Sequence, residues 1–282
     1  MAEHSTQESL SLDSLLPPAI ASKAEDIGVK KANMDPVSVF ILAILAGAFI
    51  ALGAIFCTTV VTGITDKVGF GLSKLLGGVV FSLGLILVIV AGAELFTGNS
   101  LLVMAAASGK VPLSKLLQNW GLVYLGNLVG SILTAYIMYL TAQYTLANGA
   151  LGVTALGIAG GKCSLAFVPA LTRGIYCNAL VCLAVWLTFS CRTTGDKILA
   201  ILFPITAFVA CGFEHCVANM YFIPMGLALK GQGLAEASSN LTIGGMFVKN
   251  LIPVTIGNII GGALFVAALY WIVYVRQSKG TA

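Results

Sequence analysis

Charge is what this chain has least of. Only 9% of its 282 residues are Asp, Glu, Lys or Arg, against roughly 25% in a soluble globular domain. A water-exposed fold of this length would have too little polar surface. The 15 basic and 11 acidic residues leave a net charge of +4 spread over termini and loops. Without a clustered basic face, no nucleic acid partner is expected. Histidine is confined to His4 and His215. The nucleophile motif GxSxG and the zinc motif HExxH are both missing, so neither catalysis, a cofactor nor a metal is expected. There is no CxxC pair either. The cysteines Cys57, Cys163, Cys177, Cys182, Cys191, Cys211 and Cys216 lie mostly in apolar segments and read as small packing residues. Residues 1–34 hold only short apolar patches and no signal-peptide core, so the amino terminus is expected in the cytoplasm as a polar tail or short amphipathic helix.

What is present is apolar: 58% of the residues are hydrophobic, in long uncharged runs. A run of about 18 or more can cross a hydrocarbon core roughly 30 Å thick. Pro36 to Thr65, Leu116 to Gly161 (a helix and a long loop), Gly174 to Cys191, with Arg173 able to snorkel at one end, and Asn250 to Val275 read as ordinary spans. Two tracts do not. Leu75 to Gly109 is interrupted only by Glu94, and Ile198 to Leu229 only by Glu214 and His215. A continuous helix of either length would extend about 50 Å, well beyond the bilayer core. Each must break, and broken backbone inside a membrane survives only when buried in protein or lining a wet cavity.

The two halves repeat one another. Asn119-Trp-Gly-Leu-Val123-Tyr-Leu-Gly126-Asn127-Leu-Val-Gly130 matches Asn250-Leu-Ile-Pro-Val254-Thr-Ile-Gly257-Asn258-Ile-Ile-Gly261 at five positions. Gly92-Ala-Glu94 with Asn99 shares its spacing with Gly212-Phe-Glu214 and Asn219. Three spans per repeat, an odd number, make the second repeat upside down relative to the first. The expected architecture is an all-α integral membrane protein of six transmembrane helices in two inverted three-helix repeats, with the second and fifth helices broken. Its divisions are a tail at 1–34, a membrane domain at 35–276 (repeats about 36–143 and 164–276) and a tail at 277–282. Nine basic residues (Lys23, Lys30, Lys31, Lys110, Lys115, Arg192, Lys197, Arg276, Lys279) against five (Lys67, Lys74, Lys162, Lys230, Lys249) favour cytoplasmic termini.

His215 is the foremost functional candidate. Neutral imidazole can donate to an anion, and the protonated ring adds a positive charge, so one residue could select anions and move protons. Glu214 and Glu94 either cap half-helices or orient a polar network. Thr97 is a helix cap or a hydroxyl donor. Asn178 either holds the histidine or bridges helices. Phe81, Leu85, Leu95, Phe96 and Phe208 could together form apolar constrictions, which repel a naked charge and pass a neutral acid. An aquaporin or glycerol channel for neutral solutes would share the six-span inverted plan, but neither break carries an Asn-Pro-Ala box.

Ser82-Leu83-Gly84-Leu85, Glu94-Leu95-Phe96-Thr97-Gly98, Asn178 to Trp186, Gly212-Phe-Glu214-His215 through Met220, and Pro253 to Asn258 together resemble the formate/nitrite transporter family. The resemblance runs from about Leu12 to Arg276. It implies a homopentamer of aquaporin-like protomers in the cytoplasmic membrane, each with its own pore. It places the central histidine at His215, the loop threonine at Thr97 and the nearby asparagine at Asn178. It also implies constrictions at Leu85 and Leu95 toward the cytoplasm and at Phe81, Phe96 and Phe208 toward the outside, with anion-collecting lysines at Lys31 and Lys162. The segment Leu12-Asp13-Ser14-Leu15-Leu16-Pro17-Pro18 resembles formate channels, and Glu94 to Gly98 is also similar to nitrite channels. Formate is the first expected substrate and nitrite the second, with lactate, acetate or hydrosulfide as alternatives.

Overall fold

The computed structural model describes residues 13–276. The first part of the amino-terminal tail (1–12, with His4 and Leu12) and the carboxy-terminal tail (277–282, with Lys279) lie outside the described residues. Within them the chain is helical, without strands. Five helices are long and apolar enough to cross a membrane: α2 (Pro36–Val61), α3 (Phe70–Gly92), α5 (Leu113–Leu140), α7 (Phe167–Ser190) and α10 (Gly245–Val275). Ahead of them lies α1 (Pro17–Ala32), and between them lie α4 (Gly98–Ala107), α6 (Ala150–Cys163), α8 (Thr194–Ala210) and α9 (Cys216–Leu229). The chain is an integral membrane protein. Many large apolar side chains, such as Leu125, Tyr136, Phe203 and Phe265, sit exposed on its flanks.

The expected long tracts are divided. The first becomes α3 and α4, and the second becomes α8 and α9, so neither is a continuous rod. The run Leu116 to Gly161, read as one helix with a long loop, instead leads into a second helix, the 14-residue α6. That helix starts after Gly149, whose φ of +84° suits glycine, and buries Leu151, Ala155, Leu156 and Ala159 at helical spacing. Its last turn carries Lys162. Helix α1 does the same with Lys31, burying Ile20, Ala21, Ala24 and Gly28 along one face. Part of the amino-terminal region is thus a packed element, held by Lys23 Nζ donating to Phe189 O (2.7 Å) and by a Lys110–Glu25 ion pair (3.2 Å).

Two close helix crossings frame the centre, α2 on α5 and α7 on α10. Glycine makes both possible. A Cβ on Gly130 would overlap the carbonyl oxygen of Ile44, and one on Gly261 would overlap that of Ile175. With lipid on the outside, packing rather than water exclusion holds such crossings together. Gly261→Val is expected to lower stability by about 1–3 kcal/mol or more, read as a fall in the unfolding temperature of the detergent-solubilised protein. Gly130→Val should behave alike, and an unchanged melt for either would mean the crossing is looser than described.

Candidate functional site

Helix α3 ends in a widened turn at Gly92, whose φ of +87° is left-handed, and Ala93 is then extended. Residues 93–97 leave the helix before α4 begins. Their backbone groups cannot turn to water in the membrane interior, so partners must come from elsewhere. Asn127 on α5 supplies two of them and ties the break to α2. Its Nδ2 donates to Glu94 O (2.9 Å) and Ala43 O (2.7 Å), while its Oδ1 accepts from Phe96 N (2.9 Å). Glu94 N donates to Leu42 O (3.2 Å).

The second break repeats this pattern bond for bond. Gly212 has a φ of +68°. Asn258 Nδ2 donates to Glu214 O (2.9 Å) and Gly174 O (2.8 Å), and its Oδ1 accepts from Cys216 N (3.0 Å). Glu214 N donates to Arg173 O (3.3 Å). At the matched positions Tyr124 and Thr255 the two hydroxyls meet at 3.2 Å.

Each carboxylate is buried and fully engaged. Glu94 pairs with Lys31 at 3.0 Å and accepts from Asn99 Nδ2 at 2.8 Å, and the same amide reaches Asn119 Oδ1 at 2.9 Å. Glu214 pairs with Lys162 at 3.1 Å and accepts from Asn219 Nδ2 at 2.7 Å, which also reaches Asn250 Oδ1 at 2.7 Å. The carboxylates therefore anchor lysines and asparagines and do not cap helices. The sets differ in detail: Asn250 Nδ2 donates to Glu214 Oε2 (3.2 Å), whereas the matched Asn119 Nδ2 has no hydrogen-bond partner. Lys31 also donates to Asn99 Oδ1 (2.8 Å), whereas the buried Asn219 Oδ1 has no hydrogen-bond partner. Lys162 instead lies 5.3 Å from the centre of the Phe222 ring.

Between the breaks His215 faces Thr97. Its Nδ1 accepts from Ala218 N (3.0 Å), capping α9. A ring nitrogen that accepts carries no proton, so neutral His215 is the Nε2–H tautomer. That N–H points to Thr97 Oγ1 at 2.9 Å, leaving the threonine hydroxyl hydrogen free to donate. Phe208 stacks on the imidazole at 5.8 Å and meets Phe81 edge-on at 5.6 Å.

Two cavities flank this pair. The larger, about 600 Å³, has Phe81, Phe208, Lys162, Glu214 and His215 on its wall, together with Lys74 and Arg173. The smaller, about 70 Å³, has Lys31, Leu85, Leu95 and Asn99 on its wall. Not every candidate joins them. Phe96 packs against Tyr124 and Trp120, with ring centres 5.0 and 6.1 Å away, and lines neither cavity. Asn178 makes no bond to His215. It donates to Ser100 Oγ (3.0 Å) and Asn258 O (2.7 Å), bridging the two breaks. The sequence reading left Asn99, Asn119, Asn127, Asn219, Asn250 and Asn258 off the site, although the repeated Gly-Asn and Glu-x4-Asn spacings marked them. Cys182, whose thiol donates to Thr97 O at 3.4 Å, had no such signal.

A membrane protein whose helices break twice at one centre, with a lysine-bearing cavity on each side, is built as a transport protein. The comparisons narrow the class. A family model for formate/nitrite transporters matches residues 18–272. The formate channel FocA of Escherichia coli K12 is 46% identical over 276 residues, covering 94% of this chain and 96% of that protein. FocA of Haemophilus influenzae is 41% identical over 270 residues, covering 92% and 95%. A solved pentameric formate channel with formate bound superposes with a TM-score of 0.80 at 43% identity, covering 86% of this chain and 98% of that one. The chain belongs to the formate/nitrite transporter family.

Proposed function

We propose that this protein moves small monovalent anions across the cytoplasmic membrane, formate first and nitrite second, through a separate pore in each protomer of a homopentamer. It is not an enzyme. The observation that carries the reading is the His215–Thr97 pair with two cavities beside it, one walled by the Lys162–Glu214 pair and the other by Lys31, whose ammonium pairs with the buried Glu94. The formate channels among its relatives and the formate-bound pentamer support the choice of substrate and assembly.

The architecture we infer is six spans in two inverted repeats, aquaporin-like, with the second and fifth spans broken and both termini in the cytoplasm. Each repeat then includes the helix before its first span, so that α1 with Lys31 corresponds to α6 with Lys162. The two matching hydrogen-bond sets support this, as does the Tyr124–Thr255 contact expected beside a pseudo-twofold axis.

In this reading an anion collects in the larger cavity near Lys162, passes Phe81 and Phe208, and meets two donors, His215 Nε2–H and the Thr97 hydroxyl. Leu85 and Leu95 close the other side, before Lys31. The apolar walls disfavour a bare charge, so passage is coupled to a proton. A second proton on the imidazole belongs on Nδ1, where it displaces the Ala218 N–H. Protonation of the ring therefore requires it to leave its capping position, and this makes the cap part of the coupling step.

Proteoliposome flux of labelled formate and nitrite under imposed pH gradients tests the reading. Uptake should rise when protons are driven inward, and flux indifferent to the gradient would remove the proton from the mechanism. Thr97→Val keeps the shape and loses one donor, so flux should fall about tenfold. Normal flux in a folded Thr97→Val protein would leave Thr97 a structural role alone.

A further inference from the structure

Away from the breaks, positive charge gathers where α1, α7 and α8 meet. Lys23 on α1, Arg192 after α7 and Lys197 in the first turn of α8 form one group. Burial, and then the charges of Arg192 and Lys197, hold the Lys23 ammonium below the ordinary lysine pKa. None of the three joins an ion pair among the described residues. Asp196 is the nearby acid and forms no ion pair with any of them; its Oδ2 accepts from Arg192 N (3.2 Å) and Thr193 N (2.9 Å) in a capping box, so the three cations outnumber it. Arg192 Nε donates to Asp13 O at 2.9 Å, which leaves most of its guanidinium donors open.

Apolar side chains border the group. Ser190 Oγ donates to Leu15 O at 3.0 Å and ties the start of α1 to the end of α7, beside Leu16, which is 75% exposed. On α8, Leu199 and Phe203, 62% and 74% exposed, lie four residues apart and so share a helix face. Cationic donors followed by outward apolar side chains match the order of a phospholipid, phosphate first and acyl chain below.

We propose that this patch binds an acidic phospholipid. Lys23, Arg192 and Lys197 meet the phosphate oxygens, with the planar guanidinium suited to two of them, while Leu199 and Phe203 lie along an acyl chain. Basic residues near an anionic lipid surface contribute about fivefold each in affinity, so three contribute about a hundredfold.

The test uses the full-length protein in detergent with added phosphatidylglycerol or phosphatidylcholine, counting retained lipids by native mass spectrometry. Phosphatidylglycerol should be retained in preference. Lys197→Gln, which disturbs no hydrogen bond among the described residues, should weaken retention about fivefold, and the triple variant with Lys23→Gln and Arg192→Gln about a hundredfold. Lys67→Gln, on the short turn before α3, should leave it unchanged. Equal retention of the two lipids, or unaltered retention in Lys197→Gln and the triple variant, would overturn the proposal. So would inorganic phosphate displacing the lipid at equal concentration, or a triple variant that separates into single chains, which would make the patch a contact between copies.

Discussion

Glu214→Leu is expected to destabilise the protein by about 3–5 kcal/mol, because it leaves a buried ammonium without its counter-charge. The Lys162 side chain is only 14% exposed. Asn219 and Asn250 lose a shared acceptor at the same time, since both donate to Glu214 Oε2 (2.7 and 3.2 Å). Glu94→Leu should cost less. Lys31 is 26% exposed and keeps its bond to Asn99 Oδ1. Unfolding of the purified assembly by heat, followed by light scattering or tryptophan fluorescence, measures both. Glu214→Gln should fall between wild type and Glu214→Leu, because it keeps the shape and an acceptor but loses the charge. Equal stability of Glu214→Leu and wild type would mean that Lys162 reaches solvent freely, contrary to the geometry.

His215→Phe should reduce anion flux by about 10- to 100-fold and abolish the dependence of the remainder on a proton gradient. The lost donor bonds an ionic acceptor, an interaction of about 1.5–3 kcal/mol. Phenylalanine keeps the stacking on Phe208 and fills the same space. The cost to folding is that of one helix cap, about 1 kcal/mol, so the protein should still assemble and its flux can be read. His215→Asn is a useful companion: its side-chain oxygen can still accept from Ala218 N, but the amide is too short to replace Nε2 and does not titrate. It should fold as wild type and lose the pH response. Unaltered flux in both variants would end the role assigned to this ring.

Much of this was legible in advance. A stretch of 35 residues from Leu75 to Gly109 with one charge cannot be a single span, and the two interruptions fall where Glu94 and Glu214 stand. The matched Gly-Asn helices also pointed to the right partners, since Asn127 and Asn258 each bond two backbone groups of a break. Less legible were the ends of those bonds. Nothing local ties Asn258 to a carbonyl 44 residues away or Asn127 to one 33 residues away. The helix at Ala150–Cys163 was missed because its glycine-rich apolar sequence has the same composition as a connection between spans. Phe96 and Leu95 are neighbours of one chemical kind, yet one packs inward on Trp120 and Tyr124 while the other faces a cavity.

By itself the sequence determined that this chain lives in lipid, that two of its hydrophobic tracts must be interrupted, and which ionisable residues lie at the interruptions. Those are one-dimensional consequences of bilayer thickness, helix rise and the need to satisfy every buried N–H and C=O. The tertiary structure alone decided what the interruptions do. It turned both glutamates into anchors for lysines from separate helices, set the histidine proton on Nε2 by occupying Nδ1, and brought a threonine from the other half within 2.9 Å of it. The ion pairs and the histidine–threonine contact join side chains between 52 and 118 residues apart that meet in a low-dielectric interior. There the arrangement that leaves the fewest polar groups unpaired prevails, and local sequence does not record which arrangement that is.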